Sequence, residues 1–184
     1  MLRYCFHVAG AVGVMMAVVM GVAPDDEDTL DRACDLGIAF QLANIARDVS
    51  EDDAAGRCYL PDEWLAEADI PPGEEMKPHY RSALVTIVHR LCEIERLYEA
   101  SARAGAARLR FRQRWAVLAA AGIYGEIARG VDRAGGHAWD HRVVTSKLRK
   151  LGFVAAAALR AALPARAAPS PAWSRRRLAA LANG

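Results

Sequence analysis

No acidic residue follows Asp140, although nine lysines and arginines do. The formal net charge of the whole chain is +2, so residues 1–140 must carry 2 − 9 = −7. The acidic part attracts cations, and the basic end suits an anionic surface. That end lacks interleaved aromatics and any nucleic-acid motif, so nucleic acid is not expected as a partner, and a membrane surface or plain solvation is. Cysteine is sparse as well. Cys5, Cys34, Cys58 and Cys92 lie far apart, form no CxxC pair and have no histidine placed to complete a zinc site. Reduced thiols in a cytoplasmic protein are expected. Alternating strand runs and Asn-Gly hairpin signals are also missing. What the chain does have is 53% hydrophobic residues among 184, mostly Ala, Leu and Val at helical spacing, which predicts an all-α domain over residues 1–163. Residues 164–184, rich in Pro, Ala, Ser and Arg, read as a disordered basic tail.

The most apolar stretch is residues 1–22, MLRYCFHVAGAVGVMMAVVMGV. A bilayer span needs about 20 apolar residues, so a transmembrane helix fits its length. Gly10, Gly13, Gly21 and His7 fit equally a helix buried all round in a soluble bundle. Only Arg3 stands ahead of the run and no convincing cleavage site follows, so it does not read as a secretory signal. In residues 24–31, PDDEDTLD, a proline followed by acids marks a helix start.

From there one helix is predicted to about residue 49, broken over residues 50–56. On its surface Gln41, Asn44, Asp48 and Asp52 fall on one stripe, beside apolar Phe40, Leu42 and Ile45. Two carboxylates one turn apart repel each other, so either they form a solvated face or something neutralises them. An oxygen-rich set of this kind suits Mg2+, which is usually shared between a few carboxylates and substrate phosphates. Further on, residues 61–68 read as a short helix capped by Asp62 and Glu63, and residues 69–77 as a loop. Residues 78–109 read as a long helix with a buried stripe of Ala83, Leu84, Ile87, Val88, Leu91, Ile94 and Leu97. Arg103, Arg108, Arg110, Arg112 and Arg114 read as a solvated corner, and residues 115–131 as another helix.

QLxNIxRDxxED followed by GRxYLP resembles the second aspartate-rich motif of the squalene/phytoene synthase family. The match is carried by Gln41, Asn44, Ile45, Arg47, Asp48, Glu51, Asp52, Gly56, Arg57, Tyr59, Leu60 and Pro61. YCFHVAGAVGVMM resembles the helix that precedes this motif, and DHRVVTSKLRKL resembles the family's closing RVxVSxxRKL segment. The resemblance implies a helical bundle of the isoprenoid synthase type. It makes Asn44, Asp48 and Asp52 the ligands of Mg2+, with Mn2+ as a substitute, and gives Asp48, Asp52 and Tyr124 catalytic roles. Tyr4, Val8, Ala9, Val12, Gly13, Met16, Ala33, Leu36 and Phe40 become the wall of an isoprenoid cavity. Gln41, Asn44, Arg47, Arg57 and Arg142 become contacts for the substrate's diphosphate end.

The implied chemistry is head-to-head condensation of two prenyl diphosphates. The motifs look most like the phytoene synthase branch, which uses geranylgeranyl diphosphate and needs no nicotinamide cofactor. Squalene or dehydrosqualene synthesis from farnesyl diphosphate is the near alternative. The family uses two aspartate-rich helices and only the second is found here, which predicts the C-terminal portion of a longer enzyme. An inactive remnant and a small membrane protein anchored by its first helix are the other two readings. A cytoplasmic location with peripheral membrane contact is expected for the enzyme.

Overall fold

The computed structural model describes residues 1–163 and Arg175. The tail expected to be disordered lies outside the described residues, Arg175 apart. Among the described residues there is no strand, and the bundle forms around one central helix.

That helix is α2, Glu27–Arg47. Its start falls three residues beyond Pro24, because Asp26 supplies the cap: its carboxylate accepts the Thr29 backbone N–H at 3.2 Å and the Thr29 hydroxyl at 2.7 Å. Glu27 and Asp28 in the first turn suit the helix dipole. Leu30, Cys34, Ile38, Leu42 and Ile45 of α2 are buried. They are covered by α1 (Leu2–Val19), α5 (Arg81–Gly105) and α6 (Phe111–Ala134). Two short helices, α3 (Val49–Ala54) and α4 (Asp62–Glu67), follow α2. Helix α4 has Pro61 at its N-cap and no side-chain cap, so Asp62 and Glu63 act through the dipole alone. Helix α7 (Lys147–Ala162) packs Val154, Ala157 and Ala161 on Leu118 and Ala119 of α6.

Helix α1 touches α2 at two glycines, where backbones meet. A Cβ on Gly13 would stand 2.2 Å from the Ala33 carbonyl oxygen, and one on Gly37 would stand 2.1 Å from that of Ala9. The contact is narrow, so α1 is not buried all round. Val8, Val12, Met15, Met16 and Val19 are exposed, and 17% of the Leu2–Val19 segment is buried. By length and composition this helix is able to cross a membrane. A turn of π-helix at Phe6–Gly10 interrupts it beside the first of the close contacts.

The buried stripe of α5 also differs from expectation. It runs Leu84, Val88, Leu91, Glu95, Tyr98 and Ala102, a four-and-three alternation, and leaves Leu97 exposed. Glu95 therefore occupies a core position. It is 0% exposed and neither carboxylate oxygen has a hydrogen-bond partner. Burial first and Glu99 second push its pKa up to about 8, against weaker pulls from Arg129, Arg96 and Arg103. Burial likewise raises Asp35 to about 7, although the Ser101 hydroxyl donates to it at 2.5 Å. Both values lie above those of the unfolded chain, so the folded state holds protons that the unfolded state releases. The stability from this source is full below about pH 4 and is lost as pH rises through 7 to 8. Thermal melts should show a lower Tm at pH 9 than at pH 5.5, corresponding to about 2 kcal/mol or more. Glu95→Gln should flatten that slope, and a Tm that rises over the interval would refute the assignment.

Of the five arginines expected in a solvated corner, Arg110 and Arg112 are exposed, whereas Arg103, Arg108 and Arg114 are engaged. Arg103 pairs with Glu99 at 2.6 Å, and Arg108 pairs with Asp26 and Asp28 at 3.3 and 3.1 Å. Arg114 donates to the Leu163 carbonyl at 2.6 Å, tying α6 to the end of α7.

Candidate active site

Between α1, α2 and the C-terminal end of α5 lies an apolar cavity of about 260 Å³. Eight of the nine residues expected to wall it do so: Val8, Ala9, Val12, Gly13, Met16, Ala33, Leu36 and Phe40. The glycine contacts set its depth, since they hold α1 and α2 together while small side chains beside them leave space. Thr29, Arg32, Met20, Ala102, Gly105, Leu109 and Val117 also line it and escaped sequence reasoning. The one available signal was Gly105, the last residue of α5, against which Arg32 lies. A Cβ there would come 2.5 Å from the Arg32 Cβ. Arg32 itself is satisfied by Asp28 at 3.1 Å and by the Ser101 carbonyl at 3.2 Å.

Tyr4, the ninth, stands elsewhere. It stacks on Tyr59, ring centroids 4.6 Å apart, near Asp52. The hydrogen bond with Tyr59, followed by burial, raises its pKa. Tyr124 is not a cavity wall residue but stacks on Phe40 at 4.0 Å, which places it where the cavity meets the polar stripe.

From Phe40 the stripe of α2 runs on through Asn44 to Asp48. The helix is not continuous to residue 49 as expected: Asp48 closes α2 and opens α3, and residues 50–54 are helical. The spacing survives, because the Asp48 N–H donates to the Asn44 carbonyl at 2.9 Å and the Asp52 N–H to the Asp48 carbonyl at 2.8 Å. Asn44, Asp48 and Asp52 thus keep successive turns on one side. Gln41 is half-buried on α2.

Three guanidiniums converge on these carboxylates. Arg47 grips Asp48 with two bonds of 2.6 and 2.5 Å, which raises the arginine's own pKa. Arg142, from the segment before α7, reaches Asp48 at 2.9 Å and lies 3.8 Å from Glu51. Arg57 reaches Asp52 at 3.3 Å. The turn that delivers Arg57 is a Schellman motif: Arg57 N–H donates to the Asp52 carbonyl at 2.8 Å and Gly56 N–H to that of Asp53 at 2.9 Å. Gly56 has φ +68, and a Cβ there would meet nothing within 4 Å. Gly56→Ala should therefore cost only the left-handed backbone term, about 1 to 2 kcal/mol, visible as a Tm lower by a few degrees. An unchanged Tm would show the turn to be adaptable. Burial raises the pKa of Asp52, with Arg57 opposing and Asp48 and Glu51 adding to it. Protons thus compete at Asp52 for any cation.

Among the described residues no group of three His, Cys, Asp or Glu side chains stands ready to hold a metal. Asn44 and two aspartates are an incomplete oxygen set, which fits Mg2+ completed by water and phosphate and does not fit a closed protein cage.

A profile of the squalene/phytoene synthase family matches residues 1–149. The chain belongs to the squalene/phytoene synthase family. Among characterised members it is 49% identical over 178 residues to a 15-cis-phytoene synthase of Enterobacter agglomerans, covering 95% of this chain and 60% of that protein. It is 51% identical over 156 residues to a phytoene synthase of Pseudescherichia vulneris, covering 85% and 50%. A crystal structure of a dehydrosqualene synthase in complex with ligand superposes with a TM-score of 0.76 at 27% identity, over 86% of this chain and 56% of that one. The chain therefore spans about half the length of the curated synthases it matches. The all-α fold is that of this synthase family, and prenyl diphosphate is the substrate class on which the family acts.

Proposed function

We propose that this chain binds a prenyl diphosphate with its tail in the cavity and its diphosphate at the acidic end of α2. In this reading it takes part in the head-to-head condensation of two geranylgeranyl diphosphates to phytoene. The observation that carries the reading is the course of one helix face. Leu36 and Phe40 are cavity wall, and Asn44, Asp48 and Asp52 follow at four-residue intervals under Arg47, Arg57 and Arg142. Eight residues separate Phe40 from Asp48, about 12 Å of helix.

Bound by Asn44, Asp48, Asp52 and phosphate oxygens, Mg2+ would offset the charge of the departing diphosphate. The chain's own groups do the rest. Arg47, Arg57 and Arg142 pair with carboxylates in the free protein and suit phosphate oxygens bidentately once substrate arrives. The first ionisation breaks the C–O bond to diphosphate and leaves an allylic cation. The second molecule's double bond attacks that cation, and proton loss closes the ring of the cyclopropyl (prephytoene) diphosphate. A second ionisation and rearrangement, with loss of a proton, gives the hydrocarbon. Tyr124, held against Phe40, offers a π face at the polar mouth of the cavity. Apolar walls keep water from the cations. No nicotinamide is required. A location in the cytoplasm with peripheral membrane contact suits substrates and a product with long hydrocarbon tails.

Dehydrosqualene formation from farnesyl diphosphate is the second reading, favoured by the superposition on a dehydrosqualene synthase. Incubating the purified chain with Mg2+ and each diphosphate, then extracting hydrocarbons, tests both. Phytoene from the C20 substrate supports the first reading and a C30 product supports the second. Failure to bind either diphosphate would overturn both.

A further inference from the structure

Helix α7 turns its leucines to solvent. Phe153, Val154, Ala157 and Ala161 pack on α6, while Leu148 is 82%, Leu151 66% and Leu159 72% exposed. At 100° per residue these leucines share one arc, with Ala155 between them and Gly152 beside it. Large exposed apolar patches call for a partner. The flanks identify its charge. Residues 141–163 hold Arg142, Lys147, Arg149, Lys150 and Arg160 and no acid. Arg142 and Arg149 are committed to Asp48 and Glu126, whereas Lys147, Lys150 and Arg160 form no ion pair with the described residues. The exposed face of α1 differs: Val8, Val12 and Met16 are already cavity wall, and although Met15, Val18 and Val19 are exposed beside them, Arg3 is the only lysine or arginine on that helix.

We infer that the leucine face of α7, with Lys147 at its rim and Lys150 and Arg160 farther round the helix, docks on an anionic lipid bilayer and is a surface through which the chain sits on a membrane. The helix would lie in the interface plane, leucines among the acyl chains and cations at the headgroups. This deepens the membrane-contact part of the reading above and uses none of the cavity residues.

The test is co-sedimentation of the full chain with vesicles of phosphatidylglycerol and phosphatidylcholine, or of phosphatidylcholine alone. Binding is expected on the anionic vesicles and should weaken in high salt. The triple variant Leu148→Ser, Leu151→Ser, Leu159→Ser should bind more than tenfold less tightly with an unchanged circular dichroism spectrum. Lys147→Gln should cost about fivefold. The leucine variant retains every cation, so equal binding by it would overturn the inference, as would equal wild-type binding to neutral vesicles. A wild-type dimer that the triple variant abolishes, with no vesicle binding by either protein, would overturn it in favour of a second copy. Binding of geranylgeranyl thiolodiphosphate, measured on the same variant without vesicles, should be unchanged. If no protein binds that probe, the prenyl reading fails while the vesicle result stands.

Discussion

Asp48→Asn is expected to lower Mg2+-dependent affinity for a prenyl diphosphate about a hundredfold, near 3 kcal/mol, and to raise metal-free affinity for inorganic phosphate. The two effects share one cause. Asp48 is the counter-ion of both Arg47 and Arg142, and its carboxylate is also the central member of the Asn44, Asp48, Asp52 set. Removing the charge weakens the cation site and releases two guanidiniums for anions. Titration calorimetry with and without EDTA separates these outcomes. If Mg2+-dependent affinity fell less than threefold, Asp48 would be merely a structural partner of its arginines. A fall in both affinities would indicate damage to the fold.

Gly37→Ala should be the most damaging Gly→Ala change among the described residues. Its Cβ would stand 2.1 Å from the Ala9 carbonyl oxygen and 2.5 Å from the carbonyl carbon, both backbone atoms that no side-chain rotation can move away. Helix α1 would have to retreat from α2, at a cost of about 3 kcal/mol, a Tm lower by about 10 °C. The cavity between those helices would change with it, so tail binding should weaken together with stability. Gly152→Ala is the control. It lies within α7 with nothing near its Cβ position, and should be neutral or stabilising by up to about 1 kcal/mol. Equal melts for the two variants would mean that α1 is loosely held.

The sequence made the central stripe legible because helical periodicity is local: Asn44, Asp48 and Asp52 needed only a spacing of four. Cavity residues on α1 and α2 were legible for a different reason, their resemblance to a known motif, and Tyr4 shows its limit. A stacking partner 55 positions away, Tyr59, holds it at the acidic end. The break at Asp48 was invisible because the backbone hydrogen bonds run through it. Glu95 was unreadable in principle. A glutamate on an amphipathic helix is expected on the wet side, and only the four-and-three course of the stripe puts it in the core. Leu97 and the leucines of α7 err in the opposite sense: apolar residues at helical spacing that tertiary packing leaves in solvent. Arg108 read as solvated because its acidic partners, Asp26 and Asp28, lie some 80 residues earlier.

The most direct test is titration of the wild-type chain with geranylgeranyl thiolodiphosphate, which cannot ionise readily, in Mg2+ and then in EDTA. Saturable binding that needs Mg2+, exceeds that of inorganic diphosphate, and weakens on acidification as Asp52, its pKa raised by burial, takes up its proton is the predicted result. Equal affinity in EDTA, or no gain from the hydrocarbon tail, would contradict it.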